Sequence, residues 1–325
     1  MFQRRPLAGQ QSIERVFADV RDALPPDISV TTHILPCESH GVKNRIHNIF
    51  FAWRNRGPIN HVTGDVHYLA LGLPGRSTIL TVHDLVSLGR LSGIRRTVLA
   101  LFWYRLPVRR VRFVTTVSEW TRDELIQLLP FAAPKAVVVH NPVSPIFQVS
   151  PLRYRHHPVV LQVGTGANKN LPRVVEALRD LPVHLRIVGH LNSQQCAQLA
   201  AAQMDFSQIC GITDEEMARE YSNCYLLLFP STYEGFGLPI LEAQASGRPV
   251  VTSSVASMPE VAGGAAMLVD PLDVTEIRRA LQSLIDDQQL YQSLVERGLE
   301  NAQRYTAISV AASYATIYRK FHGRP

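Results

Sequence analysis

Along the whole chain, short apolar runs alternate with stretches whose apolar residues recur at helical spacing. In the first half, Ile59–Gly64, Ser77–Val82, Arg112–Ser118 and Ala136–His140 read as strands. Two more are expected before them, Ile28–Leu35 and a short one within Phe2–Arg5. In the second half, Val159–Val163, Val183–Gly189, Ile209–Thr213, Tyr225–Phe229, Pro249–Ser253 and Ala266–Asp270 read the same way. Between strands, Ser12–Leu24 sets Ile13, Val16, Phe17, Val20 and Leu24 on one helical face behind Ser12 as N-cap. Thr121–Leu129, Leu171–Asp180, Asp214–Ser222 and Leu238–Ser246 read as further helices, and the tail from Pro271 is helical. A run such as Tyr225–Phe229, apolar without alternation, suits a parallel strand covered on both faces. The pattern therefore predicts an α/β protein of two doubly wound, Rossmann-like parallel-sheet domains, residues 1–150 and 151–305, with the polar, proline-containing Val143–Pro158 as linker.

Composition agrees with two packed cores, since 325 residues with 46% apolar content suffice for both. No stretch approaches the ~20 apolar residues of a membrane span. Met1–Pro6 has charge but no apolar region behind it, so no signal peptide is expected. Cys37, Cys196, Cys210 and Cys224 form no C-x-x-C pair, which suits a reducing cytoplasm and speaks against a zinc site or disulfides.

Charge divides the halves. Residues 1–150 carry 18 Lys and Arg against 10 Asp and Glu, a surplus of +8, and residues 151–325 carry 15 against 17, a balance of −2. A basic half suits nucleic acid, an anionic membrane surface, a phosphorylated substrate or simply a soluble surface. Arg95–Arg112 is the best membrane candidate: six arginines interleave with Leu99, Leu101, Phe102, Trp103 and Tyr104. Leu99–Trp103 reads equally well as core.

The candidate chemistry sits on two strand–glycine loop–helix junctions. Such a junction presents unpaired N–H groups and the positive end of a helix dipole, and so favours an anion. The stronger one is Pro230–Gly247, where Glu234 and Glu242 bracket Gly235 and Gly237, and Pro239 suits the first helical turn. Carboxylates repel a phosphate, so this pair reads as acceptors for sugar and ribose hydroxyls. The weaker one is Gly164–Asn170, in which Lys169 can neutralise a diphosphate; the spacing is neither that of a P-loop nor that of a dinucleotide fingerprint. His83, at the carboxyl end of a strand, either faces a ligand crevice or bonds a neighbouring backbone group. Gly9, in a loop feeding a helix, either approaches a phosphate or merely turns the chain.

Glu234-Gly-Phe-Gly-Leu-Pro-Ile-Leu-Glu242 resembles the E-x7-E signature of retaining GT-B-fold glycosyltransferases of family four, the glycosyl transferases group 1. The likeness extends to Gly164–Asn170, Gly211–Glu215 and Pro249–Asp270, and more loosely to His83-Asp84, Val117–Glu119 and His140–Pro142. It implies a GT-B fold with two domains facing a cleft, and a last helix, about 306–325, packed back on the first. It implies catalytic roles for His83, Lys169 and Glu234, and donor contacts from Gly9, Gly164, Thr165, Lys169, Gly211, Ile212, Glu234, Phe236, Gly237, Leu238 and Glu242. Family members commonly carry an arginine where this chain has Thr165.

The implied activity is metal-independent, cofactor-free retaining transfer of a hexose, mannose being one candidate, from a nucleoside diphosphate sugar to a glycan or lipid-linked hydroxyl. The expected setting is bacterial cell-surface polysaccharide or glycolipid synthesis, in the cytoplasm and peripheral at the inner face of the membrane, without nucleic acid. The alternatives are a non-catalytic sugar-nucleotide-binding module and another GT-B enzyme such as an epimerase.

Overall fold

The structure, a computed structural model, describes residues 1–5, 12–89, 91–151 and 157–321. The chain divides into two compact units: Met1–Pro142 with Ala307–Pro325, and Val143–Thr306.

The first unit holds strands β1 (Phe2–Gln3), β2 (His33–Ile34), β3 (Asn60–Val62), β4 (Thr78–Val82), β5 (Phe113–Thr116) and β6 (Ala136–Val138). All pair in parallel, in the order β2-β1-β3-β4-β5-β6. Its helices are α1 (Ser12–Asp22), α2 (Val42–Arg54), α3 (Val86–Gly89), α4 (Gly93–Leu99), α5 (Leu106–Arg110) and α6 (Glu119–Leu128), with a π-helical segment, Ala100–Arg105, joining α4 to α5. Strand β2 is shorter than the predicted Ile28–Leu35. Among the described residues it is an edge strand paired only with β1, and Ile34 is exposed. Phe2, Val62, Leu80, Val82 and Val114 are buried in one core with Tyr68, Leu69 and Tyr104.

The second unit holds β7 (Val159–Val163), β8 (His184–Val188), β9 (Phe206–Ile209), β10 (Leu226–Phe229), β11 (Val250–Ser253) and β12 (Met267–Val269), parallel in the order β12-β11-β10-β7-β8-β9. Its helices are α7 (Leu171–Leu178), α8 (Ser193–Ala201), α9 (Asp214–Asn223), α10 (Leu238–Ala245), α11 (Met258–Ala262), α12 (Val274–Asp286) and α13 (Gln288–Ala302). Strand β9 lies earlier than the predicted Ile209–Thr213, because Cys210–Thr213 forms the loop and cap of α9. Helix α8 opens on a reciprocal capping box between Asn192 and Gln195.

The units divide after Pro142, not at residue 150, and the described part of the expected linker is packed. The Val143 N–H donates to the Tyr305 carbonyl at 2.8 Å, and Phe147 is buried edge-on against Tyr221, 5.5 Å between ring centres. Buried Arg248 donates to the carbonyls of Tyr221, Ser222 and Ser150. Helix α14 (Ala307–Arg319) belongs to the first unit. Its Tyr314 ring packs on Phe17 of α1, and its Tyr318 hydroxyl lies 2.8 Å from Nδ1 of buried His61, whose Nε2 is 2.7 Å from Thr81 Oγ1. Burial holds the His61 pKa well below the ordinary histidine value.

Candidate active site

In the second sheet the strand order reverses between β7 and β10, neighbours that are not consecutive in sequence. Loops leave their carboxyl ends on opposite sides of this point, opening the crevice where α/β sheets take ligands. The two predicted glycine junctions follow these two strands.

After β7, Gly164 adopts φ +86°, and a Cβ there would come within 2.9 Å of the Lys169 side chain. Glycine is thus required both by the turn and by the path of the lysine. Gln162 Nε2 holds the Lys169 carbonyl at 2.9 Å, and buried Asn170, at φ 60°, donates to the carbonyls of Pro230 and Pro271. So fastened, Lys169 lies over the Phe229 ring, Nζ 4.6 Å from its centre, and pairs with Glu234 Oε1 at 2.6 Å. Asn168 Nδ2 donates to the same oxygen at 3.1 Å. Two residues expected to serve different parts of a ligand therefore neutralise one another.

After β10, Gly237 at φ +104° precedes α10, whose N-terminus no side chain caps. Ser257 Oγ lies 2.9 and 2.8 Å from the carbonyls of Glu234 and Phe236, and Phe236 is buried with its ring 6.0 Å from that of Tyr305. The loop is held from behind while Glu234 faces Lys169. Glu242, inside α10, is 5% exposed, and its Oε2 accepts from the Tyr221 hydroxyl at 2.8 Å.

Thr165 Oγ1 donates to the His190 carbonyl at 2.6 Å. Gly211, at φ +66°, and Ile212 follow β9 at the same end of the sheet. The structure thus collects Gly164, Thr165, Lys169, Gly211, Ile212, Glu234, Phe236, Gly237 and Leu238 at one edge, with Glu242 behind them in α10. Sequence reasoning missed Asn168, Ser257 and Tyr221. Asn168 could have been found as the polar neighbour of Lys169 in its loop; a tyrosine in α9 and a serine beyond β11 carry no local signal.

His83 lies in the first unit, its Nε2 donating to the Thr63 carbonyl at 2.7 Å. The backbone bond foreseen as one alternative forms, and since a carbonyl only accepts, it fixes the proton on Nε2. Burial lowers the pKa of His83 and of neighbouring His67. Gly9 lies outside the described residues. In the Arg95–Arg112 segment Trp103 and Tyr104 are buried, as the core reading expects, whereas Val98 and Phe102 are exposed. In the first sheet the order reverses between β1 and β3, and a cavity of about 380 Å³ lies there, lined by Arg4, Arg5, Glu38, Arg45, Asp65 and Trp103 among others. Trp103 Nε1 donates to Asp65 Oδ1 at 2.6 Å.

Residues 58–146 match the family model described as glycosyltransferase family 4, and residues 157–287 the one described as glycosyl transferases group 1. The chain belongs to glycosyltransferase family four. It is 28% identical to O-antigen chain mannosyltransferase B of Escherichia coli over 60% of this chain and 57% of that protein. It is 28% identical to an MMP alpha-(1->4)-mannosyltransferase of Mycolicibacterium hassiacum over 79% of this chain and 68% of that protein. This family-four chain therefore spans a little over half of the first relative and about two thirds of the second. Among solved structures, Anabaena HepE in complex with UDP-glucose superposes with a TM-score of 0.79 at 17% identity, covering 98% of this chain and 99% of that one. Sucrose-phosphate synthase from Thermosynechococcus elongatus gives 0.77 at 17%, covering 99% and 98%. These likenesses show the fold, which is GT-B.

Among the described residues no three His, Cys, Asp or Glu side chains cluster as a metal site would require, and no helix is long and apolar enough to cross a membrane.

Proposed function

We propose that the protein transfers a hexosyl group, mannosyl by analogy with its relatives' names, from a nucleoside diphosphate sugar to a hydroxyl acceptor, with retention. The observation that carries this reading is the Lys169–Glu234 pair at the β7/β10 switch point, with Glu242 behind it in α10. A sugar diphosphate satisfies both partners at once. Its phosphate replaces the carboxylate on Lys169, and its sugar hydroxyls donate to Glu234. Glu242 takes the ribose hydroxyls, and the α10 N-terminus adds partial positive charge at the diphosphate. As the glycosidic oxygen departs, Lys169 stabilises the growing phosphate charge, the task a divalent ion performs in other transferases. Within the second unit, the groups that face the Glu234 carboxylate are the Lys169 ammonium and the Asn168 amide, both donors and neither a second carboxylate. This favours a front-face route in which the leaving oxygen takes the acceptor proton, over covalent catalysis by Glu234. His83 contributes a neutral imidazole. In the first-unit cavity, Glu38 and Asp65 suit acceptor hydroxyls, and Arg5 and Arg45 suit an anionic group, as on a glycan or lipid-linked acceptor.

Thermal-shift screening against UDP-, GDP-, ADP- and dTDP-sugars identifies the donor, because a ligand of the folded state raises its stability. Acceptor-dependent release of the nucleoside diphosphate, undiminished by EDTA, with the donor's anomeric configuration kept in the product, is the expected result. The second reading, a non-catalytic sugar-nucleotide-binding module, is favoured by Thr165 standing where an arginine is common. Stabilisation by a donor without turnover on any acceptor would establish it.

A further inference from the structure

Helices α4 and α5 are joined by the π-helical Ala100–Arg105, and the cause is local. Pro107 has no N–H, and its ring crowds the carbonyl four residues before it, that of Trp103. The helix widens instead, and the Leu106 N–H donates to the Leu101 carbonyl, five residues back. The Trp103 carbonyl, which Pro107 cannot serve, accepts from Nδ1 of buried His67 at 3.0 Å. Trp103 and Tyr104, consecutive in this segment, are both buried, and the polar end of each finds a partner. The Tyr104 hydroxyl donates to the Asp84 carbonyl at 3.3 Å, and Trp103 Nε1 donates to Asp65 Oδ1 at 2.6 Å. The indole is held between neighbours, with the Tyr68 ring 5.1 Å from it and the Arg45 guanidinium 4.8 Å from its centre.

Asp65 follows β3 at its carboxyl end, is exposed, and lines the cavity of about 380 Å³ where the strand order reverses between β1 and β3. A buried indole needs an acceptor for its N–H, yet that need does not call for an exposed carboxylate at the mouth of a strand crevice. The indole donor is neutral. It fixes the orientation of Asp65 without cancelling its charge, whereas Lys169 neutralises Glu234 in the second unit. Two of the cavity's arginines have other partners: Arg4 pairs with Glu14 at 2.8 Å, and Arg45 Nε donates to the Ser39 carbonyl at 3.1 Å. A charged carboxylate held in one orientation in a crevice is suited to accept from a ligand hydroxyl. Building on the transferase reading above, we propose that Asp65 binds a hydroxyl of a sugar acceptor and that Trp103 is the positioning residue that orients it. The π-helical turn imposed by Pro107 keeps the indole in place. Asp65 holds the acceptor and moves no proton, so the two residues govern acceptor affinity more than the rate of transfer.

The test reads the indole N–H resonances of the full chain by nitrogen-edited proton NMR. The tryptophans are Trp53, Trp103 and Trp120, and Trp103→Phe assigns the resonance of interest. Methyl α-D-mannopyranoside and methyl α-D-glucopyranoside serve as probes of the sugar site. At least one of them should move the Trp103 resonance while Trp53 and Trp120 stay in place, and Asp65→Asn should abolish the response. In transfer assays, Trp103→Phe and Asp65→Asn should each raise the acceptor KM about tenfold, with kcat and donor KM within about twofold of the parent. The double variant should lose no more than Asp65→Asn alone, because the indole acts through the carboxylate. A Trp103 resonance indifferent to both sugars would overturn the proposal, as would a parental acceptor KM in Trp103→Phe. A Trp103→Phe variant that weakens donor and acceptor alike, with a lowered thermal midpoint, would reduce Trp103 to a packing residue and overturn it too. A sugar-dependent Trp103 resonance without turnover on any acceptor would instead count against the transferase reading and leave the sugar site standing.

Discussion

Replacing Lys169 by Met tests the ion pair on which the proposed mechanism turns. Lys169 Nζ and Glu234 Oε1 are 2.6 Å apart, and the two side chains are 20% and 15% exposed. At an effective dielectric constant near 20 their direct attraction is about 6 kcal/mol, most of it offset by the loss of hydration on both groups. Breaking a fully buried pair costs about 3–5 kcal/mol and an exposed one about 0–1; this partly covered pair should cost about 2 kcal/mol. Lys169→Met leaves Glu234 with the Asn168 amide as a donor but without its cation, and should lower the thermal midpoint of the second unit by about 4–8 °C. Glu234→Gln should do much the same. The double variant Lys169→Met/Glu234→Gln carries no orphaned charge and should recover to within about 1 kcal/mol of the parent. Turnover should not follow stability: each single variant and the double should lose about 10²–10³-fold in kcat, since the diphosphate has lost its cation or the sugar its acceptor. Calorimetry and donor-saturated transfer assays read the two quantities. A double variant as unstable as the two singles summed would refute the coupling, and near-parental kcat in Lys169→Met would refute the catalytic role.

Gly164→Ala should cost about 1–2 kcal/mol for a Cβ at φ +86° and, by pushing Lys169 aside, slow transfer at least about tenfold without abolishing donor binding. Parental kcat in that variant would show that the lysine's path does not matter. Tyr221→Phe removes the 2.8 Å hydrogen bond to Glu242 and should raise the donor KM about three- to tenfold with kcat little changed, in steady-state assays. His61, buried and with its pKa held well below the ordinary value, binds fewer protons folded than unfolded, so its contribution to stability is complete above about pH 6.5 and is lost as pH falls below it. The first unit should therefore lose about 1 kcal/mol per histidine so held on acidification to about pH 5.5, and His61→Gln should flatten that slope in pH-dependent melting curves.

Most of the architecture was legible because it rests on signals local to each segment. Leu226–Phe229 is apolar without alternation, as a strand covered on both faces is expected to be, and the structure buries every residue of it and of Val250–Ser253. Where a segment owes its form to distant partners, the pattern misleads. The stretch Ile28–Leu35 yields only a two-residue strand, which lies at the sheet edge and pairs on one side alone among the described residues. Val143–Pro158 looks like a linker from its prolines and polar residues, yet its first residues, Val143 and Phe147, are pinned by Tyr305 and Tyr221, far along the chain. The site shows the same division. Gly164, Lys169, Glu234 and Gly237 announce themselves by spacing, whereas Tyr221 reaches Glu242 only through the packing of α9 on α10. Helix α2 escaped notice because its apolar stripe of Val42, Ile46, Phe50 and Trp53 is exposed, and periodicity does not tell which way a stripe faces.

The contact between Lys169 and Glu234 also bears on what the proposed donor site would reject. Paired with Glu234, the lysine is neutralised, so the loop does not present a bare cation to every passing phosphate. Inorganic phosphate must displace a carboxylate that is already hydrogen-bonded by Asn168, and it offers that carboxylate nothing in return. A nucleoside diphosphate without its sugar faces the same deficit at Glu234, although its ribose can still bond Glu242, which Tyr221 holds in place. A sugar diphosphate replaces both lost interactions, giving phosphate oxygens to Lys169 and hydroxyl donors to Glu234, so the cost of opening the pair is recovered only by the complete ligand. On that reading the ion pair discriminates against anions in general and favours release of the product once the sugar has gone, while the same two side chains supply the charge and the hydrogen bonds the transfer step requires.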